Sequence, residues 1–300
     1  MHTGVISMNT DEDGIQPLDL ARLVEDSGIE SLWTPDHSHI GANAGVPLDQ
    51  KGQYGGDEEE RSQRFEGSPG GLPREYYRMY EQMTTLAAMG AVTSTLKLAT
   101  GICLVGQRDP FYLAKQIATI DHITGGRVIM GVGAGAEWNR EELEHHGVNL
   151  RTRTGLMLER IEAVKEIWSS DRPEYHGKHV DFGPIFSWPK PVSTPHPPIM
   201  MGGLGPTVLD RVLSHADGWF PGHTDDGEFD KLGDRIQELR ERAAALGRTV
   251  DVTLNFGQAD FVEHYIELGV DRVVYVIPPM VDAKVVREVV KNVAAIADQV

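Results

Sequence analysis

The chain has 300 residues, 40% apolar and 24% charged, a composition typical of a soluble globular protein with one large domain or two smaller ones. Its formal charge of −17 disfavours nucleic acid and anionic membranes as partners, although backbone N–H groups in a pocket can still bind an anionic cofactor. The sequence contains no apolar run of about 18 residues, so we predict no membrane span. The N-terminus lacks the basic and apolar regions of a secretion signal, so we expect a cytoplasmic protein. The single cysteine, Cys103, excludes an internal disulfide, and without a spaced Cys/His cluster we predict no metal site.

Short β-rich segments alternate with helix-period segments along the whole chain. Most of the β segments are apolar through their middle, as in strands buried on both faces of a parallel sheet. The predicted strands cover residues 4–8, 29–34, 96–102, 127–132, 198–202, 216–220, 250–255 and 271–277. The predicted helices cover residues 17–28, 74–94, 109–126, 152–170, 206–216, 228–247, 259–269 and 282–299. This strict alternation predicts an α/β fold, a (β/α)8 TIM barrel formed by one domain over residues 1–300, with a doubly wound sheet as the alternative.

Two stretches are longer than a minimal barrel needs. Residues 40–73 follow the second predicted strand and carry many glycines and charges, which predicts a lid-like insertion on the C-terminal face, where barrels hold their active sites. Residues 171–197 form a proline-rich extended connection before the fifth strand. Either a surface crossover or a role in substrate choice fits this second stretch.

The segment RVIMGVGAGAEWNRE, residues 127–141, contains a burst of glycines after the fourth predicted strand. Gly131, Gly133 and Ala136 fit the G-x-G-x-x-A pattern of a dinucleotide-binding turn. Such a turn belongs to the first strand of its domain, with an acid at the end of the next strand, and neither condition holds here. The burst therefore does not indicate a nicotinamide enzyme. Its small residues either admit a flat or phosphorylated ligand or permit a tight turn.

Four segments together resemble the luciferase-like flavin oxidoreductase family. They are SLWTPDHSH at the end of the second strand, LKLATGICLVGQRDPFYLAKQIATIDHITGGRVIMGVGAG through the third and fourth strands, YHGKHVDF, and PPIMMGGLGPTVLDRVLSHADGWFPG around the fifth and sixth strands. The resemblance covers roughly residues 1–280 and implies a (β/α)8 barrel, in agreement with the alternation of segments. It also implies the 5-deazaflavin coenzyme F-420 as the cofactor, with FMN as the alternative.

The resemblance places the chemistry at the end of the second strand. In deazaflavin members of the family, the residue matching Asp36 contacts the cofactor and the residue matching His37 is a proton donor beside the ring. An imidazole suits this role because it titrates near neutral pH. His37 is therefore the predicted principal catalytic residue, and His39 is the lower-ranked alternative. The other interpretation is structural, with Asp36 capping a turn and His37 hydrogen-bonded in the barrel mouth.

The third strand ends in Thr100, Gly101 and Ile102, which match a cofactor-binding bulge of the family. In deazaflavin members this bulge backs the ring and often contains a non-prolyl cis peptide bond. We place the candidate bond at Gly101–Ile102. An ordinary strand that ends in glycine is the alternative.

The resemblance also assigns cofactor contacts to the end of the fourth strand, at Ala134, Gly135 and Asn139. A sugar-phosphate dehydrogenase branch of the family has a catalytic glutamate directly after the matching glycine. Here Ala136 fills that position and Glu137 is one residue later, so oxidation of a sugar phosphate is doubtful. Glu137 is a second catalytic candidate, and exposure to solvent is its alternative.

The sequence GGLGPT, residues 202–207, joins the fifth strand to a helix, whose free N–H groups can bind an anion. The resemblance places the phosphate or ribityl chain of the cofactor on Gly202, Gly203 and Gly205. FMN-type members often add an arginine from the region of the third strand. Arg108 matches it, with a surface charge beside the next helix as the other interpretation.

The combined prediction is an oxidoreductase that transfers a hydride between a small organic substrate and coenzyme F-420, with His37 exchanging the accompanying proton. The alternative is an FMN-dependent luciferase-like monooxygenase, and a non-catalytic flavin-binding relative is a third candidate. A metal-dependent hydrolase is disfavoured because no histidine or carboxylate closes the third, fourth or fifth strand. Family members often dimerise, and the apolar residues of 76–89 predict a homodimer. We expect most aromatic residues near the strand ends to be packing residues, with one or two on the substrate or ring: Trp33, Trp138, Phe186, Trp188 and Trp219.

Overall fold

A computed structural model describes residues 1–41, 72–222 and 229–299. Within these residues, eight parallel strands close into a barrel, in which the last strand pairs with the first. The strands are β1 (His2–Ile6), β2 (Ser31–Thr34), β3 (Lys97–Leu104), β4 (Val128–Gly133), β5 (Tyr175–His176), β6 (Asp181–Phe182), β7 (Ile199–Gly202), β8 (Gly218–Phe220), β9 (Asp251–Gly257) and β10 (Arg272–Val276). Strands β5 and β6 form a separate antiparallel pair, and the other strands form the barrel. The predicted (β/α)8 TIM barrel is confirmed.

Helices connect the barrel strands. They are α1 (Pro17–Asp26), α2 (Gln82–Ala91), α3 (Pro110–Thr124), α4 (Arg140–His145), α5 (Arg153–Ser169), α6 (Val208–His215), α7 (Phe229–Ala245), α8 (Val262–Glu267) and α9 (Ala283–Ala297). Local sequence explains the ends of α3: Asp109 accepts hydrogen bonds from the N–H groups of Phe111 and Tyr112, and Gly125 ends the helix at a φ of 65°. No helix in the described ranges is long and apolar enough to cross a membrane.

The helix predicted over residues 74–94 is shorter in the structure. Arg74–Tyr77 form a 3-10 turn, and α2 begins only at Gln82. Between them, Met79 forms an antiparallel bridge with Thr10, which holds the chain extended. The carboxylate of Glu81 then accepts a hydrogen bond from the N–H of Thr84 and starts α2.

Apolar side chains pack in two layers, one between the strands and the helices and one inside the barrel. Within the inner layer the rings of Trp33 and Phe220 stack, with their centroids 4.7 Å apart. Trp33 is fully buried, so it is a packing residue, as we expected for most of the aromatic residues. The inner layer consists of Ile6, Trp33, Ala99, Ile129, Met200, Phe220 and Val274, with Ile102 packed against it.

The glycines of β4 make room for a bulge in β3. The pairing register between the two strands shifts between Thr100 and Cys103, and the peptide bond Gly101–Ile102 is cis, which confirms its predicted place. A Cβ on Gly131 would lie 2.1 Å from the carbonyl oxygen of Thr100, and a Cβ on Gly133 would lie 2.4 Å from Cδ1 of Ile102. The glycine burst is therefore a packing requirement of the neighbouring strand, unlike a dinucleotide turn.

The connection over residues 171–197 packs on the outside of the barrel, against α3 and α5. The carboxylate of Asp121 on α3 accepts the N–H groups of Val192 and Ser193, both at 2.8 Å. On α5, Glu159 accepts the N–H of Val180 at 3.1 Å. These contacts favour the surface crossover over a role in substrate choice. Most of the predicted lid at 40–73 lies outside the described residues.

Candidate active site

The loop after β2 holds His37 against α4 at the C-terminal face of the barrel. Nδ1 of His37 lies 2.7 Å from Oε2 of Glu142, although the two residues are 105 positions apart in the chain. Only 9% of the His37 side chain and 1% of the Glu142 side chain are exposed. Parallel barrel strands all end at the same face, so segments that follow different strands meet there. The result is a buried contact between a carboxylate and an imidazole.

Backbone and side-chain donors hold the carboxylate of Glu142. Oε1 accepts the N–H of Ser38 at 2.8 Å, and Nδ2 of Asn139 lies 3.4 Å from Oε2. Burial raises the pKa of Glu142, but the hydrogen bonds from His37 and Ser38 outweigh burial, and the pKa lies below its ordinary value. Glu142 is therefore ionised at neutral pH and acts as a hydrogen-bond acceptor.

Two aromatic rings enclose the His37 imidazole. The ring centroid of Tyr76 lies 5.4 Å from that of His37, and the ring centroid of Trp138 lies 5.1 Å from it. The two aromatic rings meet edge to face at 5.6 Å. Nε2 of His37 forms no hydrogen bond within the part of the chain that the structure describes. His37 thus has one nitrogen fixed by Glu142 and a second nitrogen available for proton exchange.

Asp36, the predicted cofactor contact, has its carboxylate engaged inside the protein. Arg108 donates to it from Nη2 at 2.7 Å and from Nε at 3.0 Å, and the N–H of Leu104 donates at 2.9 Å. Arg108 also donates to Glu81 at 3.2 Å. Burial raises the pKa of the adjacent Cys103 thiol well above its ordinary value, so Cys103 is an inert thiol. The ion pair between Asp36 and Arg108 connects the end of β2 to the segment after β3.

His39, the alternative to His37, belongs to an exposed group of histidines at the edge of the site. Its Nε2 lies 2.8 Å from Nδ1 of His145, and its Nδ1 lies 2.9 Å from the hydroxyl of Ser38. The same hydroxyl lies 2.7 Å from Nε2 of His146. Burial and the neighbouring His39 lower the pKa of His146. Because these rings face solvent, His37 remains the better candidate for chemistry in an enclosed site.

The predicted acid Glu137 faces solvent in this structure, the alternative that its position in the sequence left open. Its side chain is 64% exposed and forms an ion pair with Arg140, three residues later on the same turn. Asn139, predicted to contact the cofactor, is buried and accepts the N–H of Ala136 at 2.7 Å, so it shapes this turn. Gly135 adopts a φ of 79°, a conformation that favours glycine.

Of the other predicted cofactor contacts, some lie in the core and some lie at the bottom of the opening at the C-terminal end of the barrel, here called the floor of the mouth. Ala134 is partly buried and packs against the core. Thr100 is fully buried, and its hydroxyl donates to the carbonyl of Gly131 at 2.7 Å. Ile102 is partly exposed, and its Cγ2 would lie 3.5 Å from a Cβ on Gly202. The structure therefore brings the bulge of β3 against the end of β7, as expected for two parts of one site.

The loop after β7 has the open backbone that an anion site requires. A Cβ on Gly203, at a φ of 116°, or on Gly205 would meet no atom closer than 3.9 Å. No side chain caps the N-terminus of α6 at Thr207, and the N–H of Val208 donates to the carbonyl of Gly205 at 3.1 Å. Side chains from other elements donate hydrogen bonds to the carbonyl oxygens of the loop. Nε1 of Trp219 donates to Gly203, and Arg235 donates to Leu204 and Gly205.

Sequence reasoning missed three residues of this site. Glu142 lies in an acidic stretch of the sequence, and only its burial distinguishes it from the other acidic residues on α4. Tyr76 fell within a predicted helix, and Arg235 lies on α7, 30 residues after Gly205. None of these partners is local in sequence, so the folded barrel is needed to find them.

Comparison with known proteins identifies relatives of the whole chain. A family model described as luciferase-like monooxygenase matches residues 8–261. An uncharacterised protein of Mycobacterium tuberculosis is 34% identical over 284 residues, which cover 93% of this chain and 92% of that protein. An FMNH2-dependent dimethylsulfone monooxygenase of Pseudomonas putida is 33% identical over 179 residues, 59% of this chain and 48% of that protein.

The fold also matches a solved structure over nearly its whole length. An F-420-dependent secondary alcohol dehydrogenase, in complex with an F-420–acetone adduct, aligns with a TM-score of 0.73 and 16% identity. The alignment covers 99% of this chain and 98% of that one. At this identity the match establishes a shared barrel fold.

Proposed function

The chain belongs to the luciferase-like monooxygenase family and is an oxidoreductase, and from this premise we propose that it transfers a hydride between a small organic substrate and coenzyme F-420. The observation that carries the proposal is the buried pair of His37 and Glu142 at the mouth of the barrel. A hydride transfer to or from an organic substrate needs an accompanying proton, and an enclosed imidazole whose Nε2 has no hydrogen-bond partner among the described residues can exchange it.

The residues present fit a flavin-type cofactor. The loop at 202–205 offers open space where side chains would stand, and no side chain caps the N-terminus of α6. The backbone N–H groups of this loop, beside the positive end of the helix, would hold the phosphate. Ile102 and Gly202 would lie beside the ring system at the floor of the mouth. When bound, the deazaflavin ring supplies the hydride acceptor or donor.

His37 would hold the proton at Nε2 while Tyr76 and Trp138 exclude water from the imidazole. An imidazole enclosed by aromatic rings exchanges its proton with a bound substrate in preference to bulk water. Asp36 would act indirectly, because its carboxylate is already bound by Arg108.

The same ion pair favours F-420 over FMN. The predicted phosphate-binding arginine of FMN-type members is Arg108, whose guanidinium is held by Asp36 and Glu81 and is only 16% exposed. The phosphate is then left to the loop at 202–205 and the N-terminus of α6. An FMN-dependent monooxygenase is the second candidate, favoured by the 33% identity to the dimethylsulfone monooxygenase.

Titration of the purified protein with F-420 and with FMN, followed by cofactor fluorescence, tests the proposal. We expect saturable binding of F-420 that is tighter than that of FMN. Tight binding of FMN alone would favour the monooxygenase, which then predicts oxygen consumption with reduced FMN. Binding of neither cofactor would contradict both candidates.

The variant His37→Asn separates an enzyme from a flavin-binding protein without activity. We expect it to bind F-420 as the unchanged protein does, but to lose about 10²-fold or more in the rate of F-420 reduction across a panel of small organic substrates. His39→Asn serves as the control and should retain its rate.

We also propose a homodimer, which light scattering coupled to size-exclusion chromatography would test.

A further inference from the structure

We propose that Glu142 is a positioning residue that fixes the tautomer of His37, so that Nδ1 carries the hydrogen and Nε2 is the atom that exchanges the proton at the site. The inference deepens the proposed function, since it rests on His37 as the proton-exchanging group. Glu142 is not itself expected to touch substrate or cofactor.

The geometry of the contact determines which nitrogen carries the hydrogen. An ionised carboxylate has only acceptor sites, so the 2.7 Å contact to Oε2 requires a hydrogen on Nδ1. The other oxygen, Oε1, already accepts the N–H of Ser38 at 2.8 Å, a donor that cannot be removed by a change of rotamer. The carboxylate is thus fixed in place by the chain segment that carries His37.

The carboxylate stays ionised despite its burial. The hydrogen bonds from His37 and Ser38 outweigh burial and hold the pKa of Glu142 below its ordinary value. In neutral His37, Nε2 then carries the lone pair. Once Nε2 takes a proton, the imidazolium faces a carboxylate at hydrogen-bonding distance, which stabilises the charged form.

Other groups near His37 contact it in other ways. The rings of Tyr76 and Trp138 pack against its imidazole. The exposed rings of His39 and His146 contact the hydroxyl of Ser38, which lies 3.4 Å from Oε1 of Glu142, and the neighbouring carboxylate of Asp36 is paired with Arg108. Within the described residues, Glu142 is therefore the carboxylate in hydrogen-bonding contact with His37.

The variant Glu142→Gln tests the inference, with Glu144→Gln as its matched control. Glu144 lies on the same helix two residues later, is 52% exposed and pairs only weakly with Arg140 at 3.4 Å. Both substitutions remove one negative charge from α4, so they differ in contact with His37 and not in net charge. Glu142→Asp, which keeps the charge on a shorter side chain, is the conservative variant.

Nitrogen-15 NMR of protein labelled at histidine, without cofactor, gives a readout that does not depend on activity. His37→Asn identifies the resonances of His37. In the unchanged protein we expect neutral His37 to carry its hydrogen on Nδ1. In Glu142→Gln the amide oxygen can accept the N–H of Ser38 while the amide NH2 faces Nδ1, so the hydrogen of neutral His37 should move to Nε2. Glu144→Gln should be unchanged and Glu142→Asp intermediate.

Two results would overturn the inference: a hydrogen on Nε2 of neutral His37 in the unchanged protein, or the same tautomer of His37 in Glu142→Gln as in Glu144→Gln. If Glu142→Gln does not fold, the tautomers of the unchanged protein and of Glu142→Asp decide. Failure of F-420 and FMN to bind would contradict the proposed function and leave these NMR results standing. The two proposals can therefore fail separately.

Discussion

Alanine at Gly131 should destabilise the protein more than alanine at Gly133, although both glycines lie on β4 against the same bulge. A Cβ at position 131 would lie 2.1 Å from the backbone carbonyl oxygen of Thr100. A Cβ at position 133 would lie 2.4 Å from Cδ1 of Ile102, the flexible end of a side chain. The first overlap requires the bulge to move, whereas a change of rotamer relieves much of the second.

The expected costs follow from this difference. Overpacking a core usually costs about 1–3 kcal/mol, and we expect Gly133→Ala within that range and Gly131→Ala above it. Ile102→Val removes Cδ1 at a cost of about 0.5–1.5 kcal/mol, and it should recover most of the loss caused by Gly133→Ala. It should recover little of the loss caused by Gly131→Ala.

Urea unfolding followed by circular dichroism measures these free energies. Gly183→Ala is the control, because a Cβ there meets no atom within 4 Å and should change stability little. The reasoning is refuted if Gly131→Ala is no less stable than Gly133→Ala, or if the double variant with Ile102→Val shows no coupling. Either result would mean that the bulge is not rigid against β4.

Three further predictions concern stability and binding. The hydrogen bond and charge of Arg272 outweigh the effect of burial and lower the pKa of Glu30 from 4.5 to about 2, so its contribution is present above pH 4.5 and is lost as the pH falls towards 2. Urea unfolding should therefore show a stability gap between the unchanged protein and Glu30→Gln that shrinks from ~3 kcal/mol at neutral pH to ~2 kcal/mol near pH 3.5, and a gap independent of pH would contradict this. Arg235→Leu should weaken binding of F-420 and FMN at least severalfold by fluorescence titration, because two loop carbonyls lose their donors; unchanged affinity would show that the loop does not need them. Asp121→Asn should cost about 1–3 kcal/mol in urea unfolding and increase proteolysis within 171–197, whereas equal cleavage rates would show that the carboxylate does not hold the connection.

Most of the fold could be predicted from the sequence, because the pattern of apolar residues in a buried strand differs from the helical period of an amphipathic helix. Strand order follows from that alternation, since a closed parallel barrel has a single chain order. Boundaries were less predictable where tertiary pairing overrides local pattern, as between Arg74 and Gln82, where the bridge of Met79 to Thr10 interrupts a helical sequence. The cis bond at Gly101–Ile102 was predicted from a family resemblance, and the periodicity of the strand contains no sign of it.

The site was less predictable than the fold, and the acids after β4 explain why. In sequence, Glu137 stands nearest the glycine burst and Glu142 is one of several acids on a short helix. In the structure, Glu142 is buried against His37 and Glu137 is 64% exposed on Arg140. The two carboxylates differ in burial, and the burial of Glu142 depends on a contact with a residue 105 positions away. Local spacing in the sequence contains no information on that contact.

This contrast makes a last prediction about Glu137. Glu137→Gln removes a solvated charge that does not contact His37, so it should leave the tautomer of His37 and the rate of F-420 reduction unchanged. Glu142→Gln should change both, because it removes the acceptor that fixes Nδ1 of His37. Nitrogen-15 NMR and steady-state rates measured on the two variants together make the comparison. A large loss of rate in Glu137→Gln with the tautomer of His37 unchanged would restore Glu137 as an acid that acts directly, and would mean that its segment moves into the site when substrate binds.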